Sequence, residues 1–189
     1  MPHPLDAAEA AVRRGGLVAY PTDTLFGLAA SARDPAAVHR LIEVKGRPSL
    51  QPISIAVASV EEIEPWVTWS REARAFARSH LPGPYTLLVR PSARARRELA
   101  PAIVRAAPTL GLRIPDHPLA RELSRRVGPI TATSANRHGE PPALRVGQAR
   151  RALGDAVSVY LSGAPPPSGQ PSTLVDLTGT HPRIRERRR

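Results

Sequence analysis

The apolar positions of this chain switch repeatedly between helical spacing and the short continuous runs of buried strands. Leu5 to Arg14 has helical spacing and stops at Gly15-Gly16, after which Leu17-Val18-Ala19-Tyr20 reads as a buried strand ending at Pro21. A polar loop follows to Leu28. Asp34-Pro35 supplies an N-cap and a first-turn proline, which predicts a helix towards Val44 with Lys45-Gly46-Arg47-Pro48 on its exit loop. Ile53 to Val57 reads as a strand. Ser59 and Glu62 form a capping box for a short helix ending near Pro65, and Ser70 opens another towards His80.

Leu81-Pro82-Gly83-Pro84 is a turn feeding a strand over Tyr85 to Val89, and Thr109 to Ile114 is a second such run. Between them Arg94 to Arg105 reads as helix, although it contains Pro101. Asp116 is placed to cap a helix to Val127, Pro129 to Thr133 is a strand, and Ala143 to Leu153 is a basic helix closed by Gly154. Val157 to Leu161 and Thr173 to Leu177 are the last strands, and Ser162 to Ser172 is a Pro/Gly-rich loop long enough to serve as a lid or clamp. Strands apolar on both faces need helices on both sides. The expected fold is therefore α/β with a mixed sheet and ligands bound where its strands end.

At 189 residues and 41% hydrophobic, the chain can bury a core as one domain. It has no cysteine, which excludes a disulfide framework, a Cys-based zinc site and a thiol nucleophile. The N-terminal stretch lacks the pattern of a signal peptide and no apolar run approaches the ~18 residues of a membrane span, so a cytoplasmic protein with no membrane partner is expected. The net charge of +11 favours an anionic partner such as a nucleotide or RNA, though an arginine-biased composition produces the same basic surface without one. Against that background Lys45 is the only lysine and Asn136 the only asparagine.

Four loops carry candidate chemistry. Pro21-Thr22-Asp23-Thr24 places two hydroxyls and a carboxylate at a strand end, able to orient an amine or simply to satisfy a turn. Lys45-Gly46-Arg47 offers an ammonium and a guanidinium around a glycine, suited to a triphosphate and a leaving pyrophosphate, although a helix C-terminus attracts cations for structural reasons too. Thr133-Ser134-Ala135-Asn136 is a small polar turn that admits a nucleotide closely or does no more than turn the chain, and Gly169-Gln170-Pro171-Ser172-Thr173 is similar. No Walker lysine motif, dinucleotide glycine fingerprint or HExxH occurs.

Gly16 to Leu28, Lys45-Gly46-Arg47-Pro48 with Pro52, Pro82-Gly83-Pro84-Tyr85-Thr86, Leu112-Arg113-Ile114-Pro115, Thr133 to Asn136 and Ser172-Thr173-Leu174-Val175-Asp176 together resemble the YrdC/Sua5 threonylcarbamoyl-AMP synthases. The resemblance implies a YrdC/RibB-like twisted mixed sheet flanked by helices, with a basic cavity. It divides the chain into a YrdC-like domain over 1–182 and a basic tail over 183–189, without the further C-terminal domain of longer members.

The implied reaction joins L-threonine, bicarbonate and ATP, with Mg2+, for threonylcarbamoyladenosine formation in tRNA, and hands the product to threonylcarbamoyl-transferase proteins. By resemblance Lys45 and Arg47 are catalytic, and Lys45, Arg47, Gln51, Thr109, Ser134, Asn136 and Arg185 hold ATP. Thr24, Arg113, Ala132 and Ser172 hold threonine, with Arg113 on its carboxylate. Several members have a histidine at Ala56, a tyrosine at Phe26, and a glycine where Arg187 stands. The charge, with five arginines among the last seven residues, leaves a second reading open: a module of the same fold that binds tRNA or double-stranded RNA without synthesis. A third, a carbamoyl-adenylate domain of hydrogenase maturation proteins, expects zinc-finger cysteines that this chain lacks.

Overall fold

Strands that are apolar on both faces end up inside the molecule. The structure, a computed structural model, describes residues 4–48 and 51–186. Helix α1 (Pro4–Arg13) leads into the hairpin β1 (Val18–Tyr20) and β2 (Gly27–Ala29), followed by α2 (Pro35–Lys45) and β3 (Ser54–Ala56). Next come α3 (Val60–Ile63), β4 (Val67–Thr68), α4 (Arg71–His80) and the long β5 (Tyr85–Pro91). The short helices α5 (Ala93–Glu98) and α6 (Pro101–Val104) precede β6 (Leu110–Arg113), α7 (Pro118–Val127) and β7 (Ile130–Ser134). The chain continues through α8 (Val146–Leu153), β8 (Val159–Tyr160), β9 (Thr173–Asp176) and β10 (Arg183–Arg185).

The strands form one mixed sheet in the order β10, β9, β5, β6, β3, β7, β2, β1, β8, with β4 added to β5. The pairs β1/β8, β3/β6 and β5/β9 are parallel; the others are antiparallel. This is the helix-flanked mixed sheet expected from the pattern.

Strand alternation assigns each face. Leu17, Ala19, Leu28, Ile55, Leu87, Val89, Leu110 and Leu112 point into a large core with apolar residues of α2, α4, α5, α6 and α8. Val18, Tyr20, Ala29, Ala56 and Ile130 point the other way, into a smaller core completed by Leu5, Ala8, Ala11 and Val12 of α1 and by Ala120 and Leu123 of α7. This second layer covers only the β8, β1, β2, β7 end of the sheet and reaches Ala56 at the end of β3. On the same face, Thr86 and Leu88 of β5, Arg113 of β6, Ser54 of β3, and Leu174 and Asp176 of β9 line a cavity instead of a core.

Several local expectations change. Gly27–Ala29, within the expected loop, is a strand because its backbone is paired on one side with β1 and on the other with β7. The expected helix Arg94 to Arg105 is two: the chain turns extended at Leu99 and Ala100, and Pro101 starts the second, where its missing N–H costs nothing. His117, not Asp116, caps α7, its side chain accepting from the Leu119 amide. The helix α8 starts at Val146 rather than Ala143, whose carbonyl is bonded to the Phe26 amide. Arg183–Arg185, in the arginine-rich terminal segment, pair antiparallel with β9. Asp34 caps α2 through bonds to the Ala36 and Ala37 amides, as the sequence predicts, but the helix includes Lys45, expected on the exit loop, and Gly46 ends it in the left-handed region at φ 59°.

Ile55 is fully buried in the large core, with its strand paired on both sides to β6 and β7. Ile55→Ala is expected to lower unfolding free energy by about 2–5 kcal/mol, measured by urea denaturation.

Candidate active site

Strand ends, the α2 exit and loops around the bare half-face contribute the polar groups of the site. The cavity encloses about 710 Å³ and is lined by Thr24, Lys45, Arg47, Gln51, Thr109, Arg113, Ala132, Ser134, Asn136, Ser172 and Arg185, so all eleven residues singled out in the sequence converge on one space. Phe26 also lines it, whereas Ala56 is buried in the smaller core. Arg187 lies outside the described residues.

Lys45 arrives at the last turn of α2 and is 4% exposed. Its Nζ donates to the carbonyls of Ser134 at 2.6 Å and Asn136 at 2.7 Å, and the His138 amide donates back to the Lys45 carbonyl at 2.7 Å. An ammonium has three donors, so one hydrogen is left for the cavity. Burial, with Arg47 adding to it, pushes the Lys45 pKa down to about 8. Arg47 donates to the carbonyls of Gln51 (3.1 Å) and Pro52 (2.9 Å) and to the Thr133 hydroxyl (3.4 Å). Among the described residues neither cation is paired with a carboxylate, so their positive charge faces the cavity uncompensated.

The Asn136 amide nitrogen donates to the carbonyls of Arg137 (2.9 Å) and Glu140 (2.6 Å), which can only accept and so fix its orientation. Its Oδ1 is buried without a partner. That oxygen suits a hydroxyl or amino hydrogen of a ligand rather than a phosphate oxygen.

Arg113 sits at the end of β6 and is 9% exposed. Its guanidinium donates to Asp23 Oδ1 at 2.6 Å and to Thr24 Oγ1 at 2.9 Å. Thr22 gives its single hydroxyl hydrogen to the Leu25 carbonyl (2.7 Å), so Thr24 must donate across the 3.0 Å separation to Thr22. This chain of bonds aims the guanidinium. Ser172 is held by a 2.7 Å bond between its hydroxyl and that of Thr86.

Arg185 is not free either: Asp176 binds it at 2.7 Å. Burial alone would raise the Asp176 pKa, but bonds from Thr178 and the Arg185 guanidinium outweigh it and keep the carboxyl lowered. Thr22, Thr86 and Asp176 therefore hold site residues in place, roles that sequence reading misses. All three lie within the motifs quoted above; Thr22 is bonded within its own loop, whereas Thr86 and Asp176 meet Ser172 and Arg185 only through the pairing of elements. His138 and Glu186 also line the cavity and carry no sequence signal.

The Sua5/YciO/YrdC domain, described as telomere recombination, matches residues 10–187. The chain belongs to the Sua5/YciO/YrdC family. A putative threonylcarbamoyl-AMP synthase of Mycobacterium tuberculosis is 41% identical over 94% of the chain and 81% of its own length. The threonylcarbamoyl-AMP synthase of Chromohalobacter salexigens is 40% identical over 90% of each. Among solved structures, Pyrococcus abyssi Sua5 complexed with L-threonine superposes with a TM-score of 0.88 at 33% identity over 95% of this chain. The chain spans about half of that Sua5, 52%. A YrdC-type domain thus accounts for the sheet and the bare half-face together.

The Asp23–Arg113 pair is nearly buried, at 13% and 10% side-chain exposure. Removing one partner leaves an uncompensated charge, so Asp23→Ala is expected to cost about 3–5 kcal/mol by denaturant titration. Adding Arg113→Met should recover much of that loss; a double variant no more stable than Asp23→Ala would show that the unpaired guanidinium is not the source of the loss.

Proposed function

We propose that this protein is an L-threonylcarbamoyladenylate synthase, a nucleotidyltransferase that makes threonylcarbamoyl-AMP and pyrophosphate from L-threonine, bicarbonate and ATP for tRNA modification. The observation that carries the reading is the pair of uncompensated cations, Lys45 and Arg47, on the same cavity wall as the Ser134 to Asn136 turn. The names of the relatives, and the L-threonine complex of Pyrococcus abyssi Sua5, supply the substrates.

In this reading the threonine carboxylate pairs with Arg113, while Thr24 and Ser172 flank the side chain and Ala132 leaves room for it. The threonine amine and bicarbonate give a carbamate with loss of water. A carbamate oxygen then attacks the α-phosphorus of ATP, and the bond to the β-phosphate breaks to release pyrophosphate. Lys45 and Arg47 balance the charge growing on that leaving group, and Arg185 reaches the nucleotide from the β10 edge. Asn136, whose free group is an acceptor, suits the nucleoside, with Ser134 and Thr109 on the same side and Gln51 next to Arg47.

Among the described residues no group of three or more His, Cys, Asp or Glu is placed to hold a metal. Mg2+ fits as a passenger on the triphosphate, where phosphates and water supply most of its ligands. Among the described residues no helix is long and apolar enough to cross a membrane, and a cytoplasmic site of action agrees with tRNA as the downstream acceptor. Transfer to threonylcarbamoyl-transferase partners follows from the same reading.

Purified protein should release pyrophosphate only with ATP, bicarbonate and threonine together, serine being the control; release unaffected by omitting threonine overturns the synthase and favours the RNA module. ATP affinity should also depend on pH through Lys45. Its ammonium attracts phosphate when protonated, so affinity is full below about 8 and falls as pH rises through that value. In Lys45→Ala the same titration should be weak and flat, checked by calorimetry across that range.

A further inference from the structure

The Ser162 to Ser172 segment is largely exposed, yet its far end delivers Ser172 into the cavity. Little holds it. The Ser168 amide donates to the Asp23 carbonyl at 3.0 Å and the Gly169 amide to the Thr24 carbonyl at 2.9 Å, so it rests on the loop that aims Arg113. Near its start, a Cβ at Gly163 would collide with Leu119 Cδ1 of α7, which places the segment directly against that helix.

Its far end is anchored by the Ser172–Thr86 bond, and a further tie is His117, four residues after Arg113 and fully buried. Its Nδ1 accepts from the Leu119 amide at 3.2 Å. A backbone N–H cannot accept, so Nδ1 carries no proton and the single ring hydrogen is on Nε2. Nε2 therefore donates to the Pro165 carbonyl, 3.1 Å away. Burial lowers the His117 pKa, against the opposing effect of the Pro165 bond, and keeps the ring neutral in this one tautomer. One nitrogen caps α7 and the other grips the exposed segment.

We infer that His117 is a positioning residue: through Pro165 it fastens the Ser162 to Ser172 segment against Asp23 and Thr24, and so sets the threonine side of the cavity. This rests on the synthase reading for its substrate, but the fastening itself can be measured without it. The two nitrogens can be tested apart, because an asparagine amide reaches the place of Nδ1 and a glutamine amide reaches that of Nε2. His117→Asn keeps the helix cap and loses the Pro165 bond; His117→Gln keeps the Pro165 bond and loses the cap.

In His117→Asn the Ser168 and Gly169 amides should exchange with deuterium faster than in wild type. Its KM for threonine should rise roughly three- to tenfold, the range for one lost hydrogen bond, with kcat and the KM for ATP near wild type. His117→Gln should keep both amide protection and the threonine KM while its thermal midpoint drops. Gly163→Val, which pushes the segment off Leu119 without touching the histidine, should reproduce the asparagine variant.

Wild-type exchange and threonine KM in His117→Asn, or loss of both in His117→Gln, overturns the inference and leaves His117 as a helix cap only. Absence of threonine-dependent pyrophosphate release in the wild-type enzyme overturns the synthase reading instead, and the exchange measurements still decide the role of His117.

Discussion

A buried ammonium must find oxygen atoms, and in this protein it finds them on a different element. Lys45 draws in the carbonyls of Ser134 and Asn136, and its own carbonyl receives the His138 amide. These three bonds join the exit of α2 to the exit of β7 and close one wall of the cavity. Together with the Arg47 bond to Thr133 they fix the turn that presents Asn136 relative to the two cations. The same lysine is thus both a structural clasp and a source of positive charge, which its two occupied donors and one unoccupied donor allow.

The opposite wall is organised by a different balance. There Arg113 is buried with a carboxylate, so its charge is largely neutralised before any ligand arrives. One side of the cavity is therefore strongly cationic and the other is oriented but nearly neutral. That asymmetry matches a substrate pair in which one member carries several negative charges and the other a single carboxylate beside an amine. Arg185, already held by Asp176 at the sheet edge, belongs to the second kind.

Much of this was legible in the chain. Pro35 behind Asp34, and Gly46 after Lys45, fix where α2 begins and ends, and hence where the two cations leave it. The apolar runs at Leu17 to Tyr20 and Tyr85 to Val89 mark strands covered on both sides or lying beside a ligand. What stayed hidden depends on pairing across the sheet. Gly27–Ala29 has no strand signature of its own and exists as a strand because β1 and β7 flank it. Arg183–Arg185 reads as a solvated charge run because all three residues of that edge strand are exposed. The partners of Lys45 are main-chain carbonyls, which every residue possesses, so no residue type could have announced them.

The helices α1 and α7 stop short of β5, β6 and β9, and the side chains there form a lining rather than packed interior. Such positions are released from the close-fitting volume rule that governs the two cores. Replacing Thr109 or Leu174 changes what the protein can hold while leaving the sheet and its helices supported from behind. The architecture separates the residues that keep the molecule folded from those that choose its guest, so selectivity can drift within the lineage at small risk to the scaffold.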